Sequence, residues 1–406
     1  MRVSSSTLFD SNVATLSQQQ ARLLHTQQQV STGKRILTPA DDPVASARAL
    51  DISQSDAMNN QYAANRLAAR HTLSLAESNL QGVTTLLQDV KAAAVAAGNA
   101  SLTNNDRKTI ATELSGRLQE LIGLANSTDG VGNYLFAGFQ SKTQPFVSTA
   151  AGMTYAGDDG QRLVQVSASR QMASSESGAD IFMRIKNGNG TFITQAAATN
   201  TGSGVVSVGS VAAPAALTGH SYAVRFTTAT TYDVFDTTLD PAMAGVPMLA
   251  GQNYVSGQAI SFDGMQFDIQ GAPATGDTFT VASSVNESVF KTVSDLITAL
   301  NAPVSSAAPG SGALLTGSLN RGLKHLDNAL DSVLTARSSL GLRLNEIDVL
   351  QTTGEDLGLQ FKQTLSELQD VDYNQALSDL TQMQISLQAA QKSFVQVANL
   401  SLFSYL

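Results

Sequence analysis

The sequence predicts an α+β protein: a long antiparallel α-helical bundle or coiled coil built from both termini, with a β-hairpin region and an inserted all-β outer domain. Three observations carry that prediction. All nine prolines fall at 39, 43, 145, 214, 241, 247, 273, 303 and 309, so 44–144 and 310–406 contain none. A proline costs about 3 kcal/mol inside a helix, and those two stretches are where long helices can run. Both stretches carry apolar residues stepping by three and four, the spacing of a helical seam. Between them, residues 191–290 hold ten glycines, four prolines and seven acids, with Arg225 the one basic residue. That is the texture of short strands and turns.

The first helical stripe reads Phe9, Val13, Leu16, Gln20, Leu23, Gln27 and Val30, with glutamine at two of seven inward positions. Such a helix is weak alone. Leu73, Ala76, Leu80, Val83, Leu87, Val90 and Ala94 form a stronger seam. The run breaks between Gly98 and Asp106, where Thr103 and Asp106 have the spacing of a helix cap with its acidic partner. Ile110, Leu114, Leu118 and Leu121 then give a third, shorter face. From Phe136 to Arg184 the pattern turns to β-branched runs and turns, as in Gly157-Asp158-Asp159-Gly160 before Leu163, Val164 and Val166, which reads as hairpins.

In the insert, Tyr222, Val224 and Phe226 alternate, and Ile260-Ser261-Phe262 faces Met265-Gln266-Phe267 across Asp263-Gly264, a strong hairpin signal. A helical pattern returns over 286–301 and ends before Pro303. The second long seam is Leu323, Leu326, Leu330, Val333, Arg337, Leu340, Leu344 and Ile347, where Arg337 is expected to pair with an acid across the bundle. The last stripe is Tyr373, Ala376, Leu380, Met383, Leu387, Ala390, Phe394 and Val397.

The expected domains are nested. Residues 1–43 with 356–406 form a terminal helical domain; 44–187 with 287–355 form a helical core with hairpins; 188–286 form the all-β insert. The length of 406 residues fits two or three domains at roughly 100–200 residues each.

Composition removes several function classes. Net charge is −9, so a broad phosphate-gripping surface is not expected, and neither is a nucleic-acid partner. The absence of cysteine excludes disulfides, thiolate metal sites and cysteine nucleophiles. The start, Met1 to Thr7, lacks the apolar segment of a secretory signal, so any export is expected to use another route. No apolar run approaches the ~20 residues of a membrane span.

The four histidines, His25, His71, His220 and His325, lack zinc-ligand spacing and are expected at surfaces or interfaces. Gly33-Lys34 is followed by Arg35 where a phosphate loop needs Ser or Thr. Asp41-Asp42 and Asp158-Asp159 sit in turn-like contexts and read as turn or cap residues. No serine elbow or dinucleotide fingerprint occurs. The chain is therefore not expected to be an enzyme, and no cofactor or metal is expected.

The inner seams can cover each other, but the outer stripes have no long helix left to cover both. Burying each such apolar side chain is worth about 1.5–3 kcal/mol, so exposed leucines there favour association. The expected subunit interface is Phe9, Val13, Leu16, Leu23, Val30, Leu380, Met383, Leu387, Phe394 and Val397.

Ser31-Thr32-Gly33-Lys34-Arg35-Ile36 followed by Pro39-Ala40-Asp41-Asp42-Pro43 resembles the N-terminal signature shared by flagellins and hook-associated proteins. Arg337, Gly341, Asn345, Asp372 and Tyr373 resemble its C-terminal half. Asn133-Tyr134-Leu135-Phe136-Ala137-Gly138 with Thr143-Gln144-Pro145-Phe146, and the ending Ser401 to Leu406, resemble the members found at the hook–filament junction. For that family the insert is long.

The resemblance implies a non-enzymatic adaptor of the bacterial flagellum, extracellular and exported by the flagellar type III apparatus without a cleaved signal. It implies self-association in a ring, hook-associated protein 1 on the hook side and flagellin on the filament side. It also implies an export chaperone over the last helix, expected on Leu380, Leu387 and Phe394. A filament-forming flagellin is the nearest alternative. A coiled-coil signalling protein is the more distant one, and the β insert would interrupt its hairpin of heptads.

Overall fold

The computed structural model describes residues 5–150, 152–305 and 307–399. The chain forms two compact units, one of residues up to 66 with those from 348 on, the other of residues 67–347. Six α-helices are present among the described residues: α1 (Ser5–Thr32), α2 (Pro43–Ala97), α3 (Asn104–Ala125), α4 (Val289–Asn301), α5 (Ser311–Gln369) and α6 (Tyr373–Asn399). The starts and stops follow local chemistry. Pro43 opens α2, where its missing N–H costs nothing, and the Asp42 carboxylate accepts the Ala45 N–H at 3.0 Å. Thr103 and Asp106 form the expected reciprocal capping box of α3. Ser288 caps α4 by accepting the Lys291 N–H at 3.1 Å.

In the unit of residues 67–347, α2 runs antiparallel to both α3 and α5. Ser127 donates to Asn79 at 2.8 Å on the α3 side. On the α5 side the Arg337 guanidinium reaches Glu77 at 2.8 Å and Thr84 at 3.4 Å. This is the cross-bundle pairing expected of an arginine in a seam. Leu73, Leu80, Val83, Leu87, Val90 and Ala94 are buried, as are Leu326, Val333, Leu340 and Ile347. Leu323, Leu330 and Leu344 are only half-buried, so the α5 seam centres on the seven-residue step through 326, 333, 340 and 347.

Two hairpins follow α3: β1 (Phe146–Thr149) with β2 (Gly152–Tyr155), and β3 (Leu163–Ser167) with β4 (Arg170–Ala173). Phe146 is wholly buried, with the rings of Tyr155, Phe182 and Phe290 centred 5.2–5.3 Å away.

The insert begins and ends on a two-stranded base, β5 (Ile185–Lys186) with β15 (Asn286–Glu287). Between lie β6 (Phe192–Ala196), β7 (Val205–Val206), β8 (Ser210–Val211), β9 (Tyr222–Thr228), β10 (Thr231–Asp236), β11 (Leu249–Asn253), β12 (Ala259–Phe262), β13 (Met265–Gln270) and β14 (Thr278–Ser283). They form a five-stranded sheet ordered β11-β10-β9-β14-β6 and a second sheet ordered β12-β13-β7, with β8 also on β13. Phe192, Tyr222, Val224, Phe226, Phe267, Ile269, Phe279 and Val281 make one buried cluster. The Asp263-Gly264 hairpin occurs as read: both residues have positive φ, 44° and 77°, as a two-residue turn between twisted strands requires.

Two readings change in this unit. Residues 286 and 287 are strand rather than helix, because they pair with Lys186 and Ile185. His325 is not a surface residue. It is buried on α5, where its Nε2 accepts the Gly188 N–H at 2.9 Å.

In the other unit, α1 packs antiparallel on α6. The Phe9 and Phe394 rings are centred 5.3 Å apart, and the Thr26 hydroxyl donates to Met383 Sδ at 3.7 Å. The face of α1 differs slightly from the expected one. Leu16, Leu23 and Val30 are inward, but the positions between them are Asn12, Gln19 and Thr26, while Val13, Gln20 and Gln27 are exposed. Thr26 is short enough to let Met383 approach, which glutamine at 27 is not.

Candidate assembly surface

Two features of the unit that holds α1 and α6 concentrate the residues singled out in the sequence: the α1/α6 stripe and the connector after α1. The connector is tied to the chain that leads into α6. Val371 N–H donates to the Gly33 carbonyl at 3.0 Å, and Arg35 N–H donates to the Gln369 carbonyl at 2.6 Å. The Arg35 guanidinium bridges the Leu368 carbonyl at 2.9 Å and the Asp42 carboxylate at 3.3 Å. The N-terminal signature therefore meets the chain leading into the Asp372-Tyr373 end of the C-terminal one.

Each acid there has a structural task. Asp41 accepts the N–H groups of Thr38 and Leu37 at 2.8 and 2.9 Å and contacts His25 Nε2 at 3.0 Å. These bonds, the Thr38 N–H foremost, hold its carboxyl below the usual range. The Ala45 N–H and Arg35 do the same for Asp42. Asp372 caps α6 by accepting the Asn374 and Gln375 N–H groups at 2.9 and 3.2 Å. Gly33 has a φ of 71°, and a Cβ there would stand 2.9 Å from the Tyr373 hydroxyl. Glycine answers both constraints. Ile36 is half-buried beside them.

The remaining signature residues lie in the unit of residues 67–347. Arg337 is explained by Glu77 and Thr84. Asn345 is exposed, and a Cβ on Gly341 would meet nothing within 4 Å, so neither the fold of one chain nor its backbone requires a glycine there.

The α1/α6 stripe is only partly covered. Leu16, Leu23, Val30, Leu380, Met383, Leu387 and Phe394 are half-buried. Phe9 is 52% exposed and Val13 41%. Leu24, Leu377, Ile385 and Val395 lie open beside them. A groove of about 240 Å³ between Leu16 and Phe394 is lined by these two and Ala390 together with the polar Asn12, Thr15 and Ser393. Val397 lies in α6, but its side chain is outside the described residues, as is the segment Ser401 to Leu406. Thr26 and Gln29, which the sequence does not single out, and His25 belong to this region through Met383, the Arg35 carbonyl and Asp41. Their signal is tertiary and has no sequence motif.

A cleft of about 390 Å³ between α4, α5 and β6 contains Glu287, Lys291, Asp295, Arg321 and His325. Lys291 is paired with Asp295 and Glu287, and His325 Nε2 is already used as an acceptor. Among the described residues no group of three or more ligating side chains could hold a metal ion. No helix among them is long and apolar enough to cross a membrane.

Helices from both ends of the chain paired on each other, with a β-rich middle, define a flagellin-type subunit. The bacterial flagellin N-terminal helical region matches residues 3–141 and the C-terminal helical region matches 323–406. The chain is 31% identical over 405 residues to flagellar hook-associated protein 3 of Salmonella typhimurium, covering 99% of each. It belongs to the flagellar hook-associated protein 3 family. Among solved structures, FlgL of Xanthomonas campestris matches at a TM-score of 0.72 and 33% identity, over 78% of this chain and 99% of that one. The flagellar junction protein FlgL of Legionella pneumophila matches at 0.70 and 34%, over 80% and 100%.

Proposed function

We propose that this chain is a structural adaptor of the bacterial flagellum that joins the hook to the flagellin filament. The observation that carries the reading is the full-length likeness to hook-associated protein 3, joined to an α1/α6 stripe that one chain leaves half-covered. In this reading residues 1–43 with 356–406 line the inner tube, 44–187 with 287–355 form the lateral wall, and 188–286 face outward. Phe9, Val13, Leu16, Leu23, Val30, Leu380, Met383, Leu387, Phe394 and Val397 meet neighbouring subunits in a ring. Hook-associated protein 1 lies on the hook side and flagellin on the filament side. Before export a flagellar chaperone covers Leu380, Leu387 and Phe394. Export proceeds through the flagellar type III apparatus, and no step is catalytic. The absence of any intrachain demand for glycine at 341 supports close approach of another subunit there.

Deleting the coding sequence in its own bacterium tests the reading. Electron microscopy should show hooks without filaments, with flagellin released into the medium. Hooks without any flagellin would make this the filament subunit instead, and normal filaments would overturn the proposal.

A further inference from the structure

The edges of the two sheets of the insert open side by side. β11 is the outer strand of the five-stranded sheet and β12 the outer strand of its partner, and residues 254–258 cross between them. A cleft of about 300 Å³ lies there. Its lining includes Tyr232, Tyr254, Gln252, Asn253, Gln258 and Ser261 and no charged side chain. The sequence around it is uncharged from Pro241 to Phe262, in a domain otherwise acidic.

The two tyrosine rings are fixed from behind by one residue. Phe226 stands 5.0 Å from Tyr254, edge to face, and 5.8 Å from Tyr232. Tyr254 is further held by its hydroxyl, which reaches the Gly271 carbonyl at 2.7 Å. Tyr232 is 8% exposed, yet its hydroxyl has no hydrogen-bond partner among the described residues. The side chains of Asn253, Gln258 and Ser261 likewise make no hydrogen bond to a described residue, while Gln252 bonds the Ala250 carbonyl at 3.1 Å. A hydroxyl, two carboxamides and a serine thus present unused donors and acceptors beside the half-buried ring of Tyr254.

We propose that this cleft binds a neutral saccharide. Hexose rings offer uncharged hydroxyls that both donate and accept, matched by carboxamides and hydroxyls, and C–H faces that pack on tyrosine. A charged ligand would find no counter-ion in the lining. Strand addition by a peptide is disfavoured by the edge itself. β11 pairs with β10 through a register shift between Tyr232 and Val234, and Gly251 at a φ of 61° breaks its extended run. The site is preformed, because the Tyr254 ring and the crossing segment are held by contacts already made.

The test titrates the full chain with maltohexaose, cellohexaose and chitohexaose, with hexagalacturonate as the anionic comparison and an uncharged hexapeptide as the strand-forming one. At least one neutral hexamer should bind with a dissociation constant of about 1 mM or tighter, and equally at low and high salt. Tyr232→Phe keeps the ring and its packing on Phe226, and Gln258→Ala alters an exposed side chain. Each should weaken binding about tenfold with the thermal transition unchanged, whereas Gln61→Ala on α2 should leave binding intact. Failure of every neutral hexamer at 10 mM overturns the proposal. So does tighter binding of hexagalacturonate or of the peptide, or binding that both cleft variants leave unaltered.

Discussion

Leu80 on α2 and Leu380 on α6 occupy equivalent inward positions of a three-and-four stripe, yet Leu80 is wholly buried and Leu380 half-exposed. The difference lies in the number of partners. α2 is flanked by α3 and α5, which close over both sides of its seam. α1 and α6 have their closest partner in each other, so a single contact line is covered and Phe9, Leu24, Ile385 and Val395 stay open. Identical periodicity therefore encodes two roles, a finished core and a surface that remains apolar until something else covers it.

The comparison is sharpest where a core residue is truncated. Leu87→Ala should cost about 2–5 kcal/mol, since the site is closed on all sides and cannot collapse fully. Calorimetry should show a clear fall in the transition of residues 67–347, and a loss under about 1 kcal/mol would mean this seam is as open as the outer one. Arg337→Ala should cost less, about 1–2 kcal/mol, because its ion pair with Glu77 is partly solvated. A cycle with Glu77→Ala would isolate the pairing, and no coupling would assign Arg337 to a contact outside the chain.

Much of this architecture was legible in the residues. Proline placement marked the helical ends, Thr103 with Asp106 marked a capping box, and Asp263-Gly264 marked a hairpin, each because local chemistry suffices. The face of α1 was not. Steps through 13, 20 and 27 and through 12, 19 and 26 share Leu16, Leu23 and Val30, so spacing alone could not choose. Met383 against Thr26 chooses, and that partner is 357 residues away. His325 misled for the same reason, as its acceptor role depends on Gly188 across 137 residues. Of the assembly surface, the stripe residues were visible, but the joining of Gly33 and Arg35 to 368–373 was not, because no periodicity reports it.

The connector should respond more gently. Gly33→Ala places a side chain at positive φ and against Tyr373, costing about 1–2 kcal/mol in the α1/α6 unit and leaving the transition of residues 67–347 in place. The same connector should loosen in acid. Asp41 and Asp42 titrate below the ordinary 3.8 in the folded chain, so their contribution is complete above that value and lost as pH falls through the lowered one. Amide exchange of Thr38 and Ala45 should accelerate there before the inner seam opens. Protection that persists after both carboxylates have been protonated would mean they are not what holds the connector.

The smallest effect on the single chain should accompany the largest on assembly. Leu387 is half-buried on α6, so Leu387→Asp forfeits about half of a full leucine burial, roughly 1 kcal/mol, and its carboxylate can turn toward water. In a ring, the same carboxylate would be enclosed among apolar stripes of neighbours with no cation on the stripe to meet it, and burying an unpaired charge costs several kcal/mol. That cost recurs at every interface, so joining to the filament should fail while the calorimetric transition of residues 67–347 stays unchanged. Ser386→Asp, one residue along on an exposed position, serves as the control and should assemble. If Leu387→Asp instead lowers the stability of the single chain by as much as Leu87→Ala while assembly proceeds, the stripe is ordinary core, and the contrast between the two helical pairs does not hold.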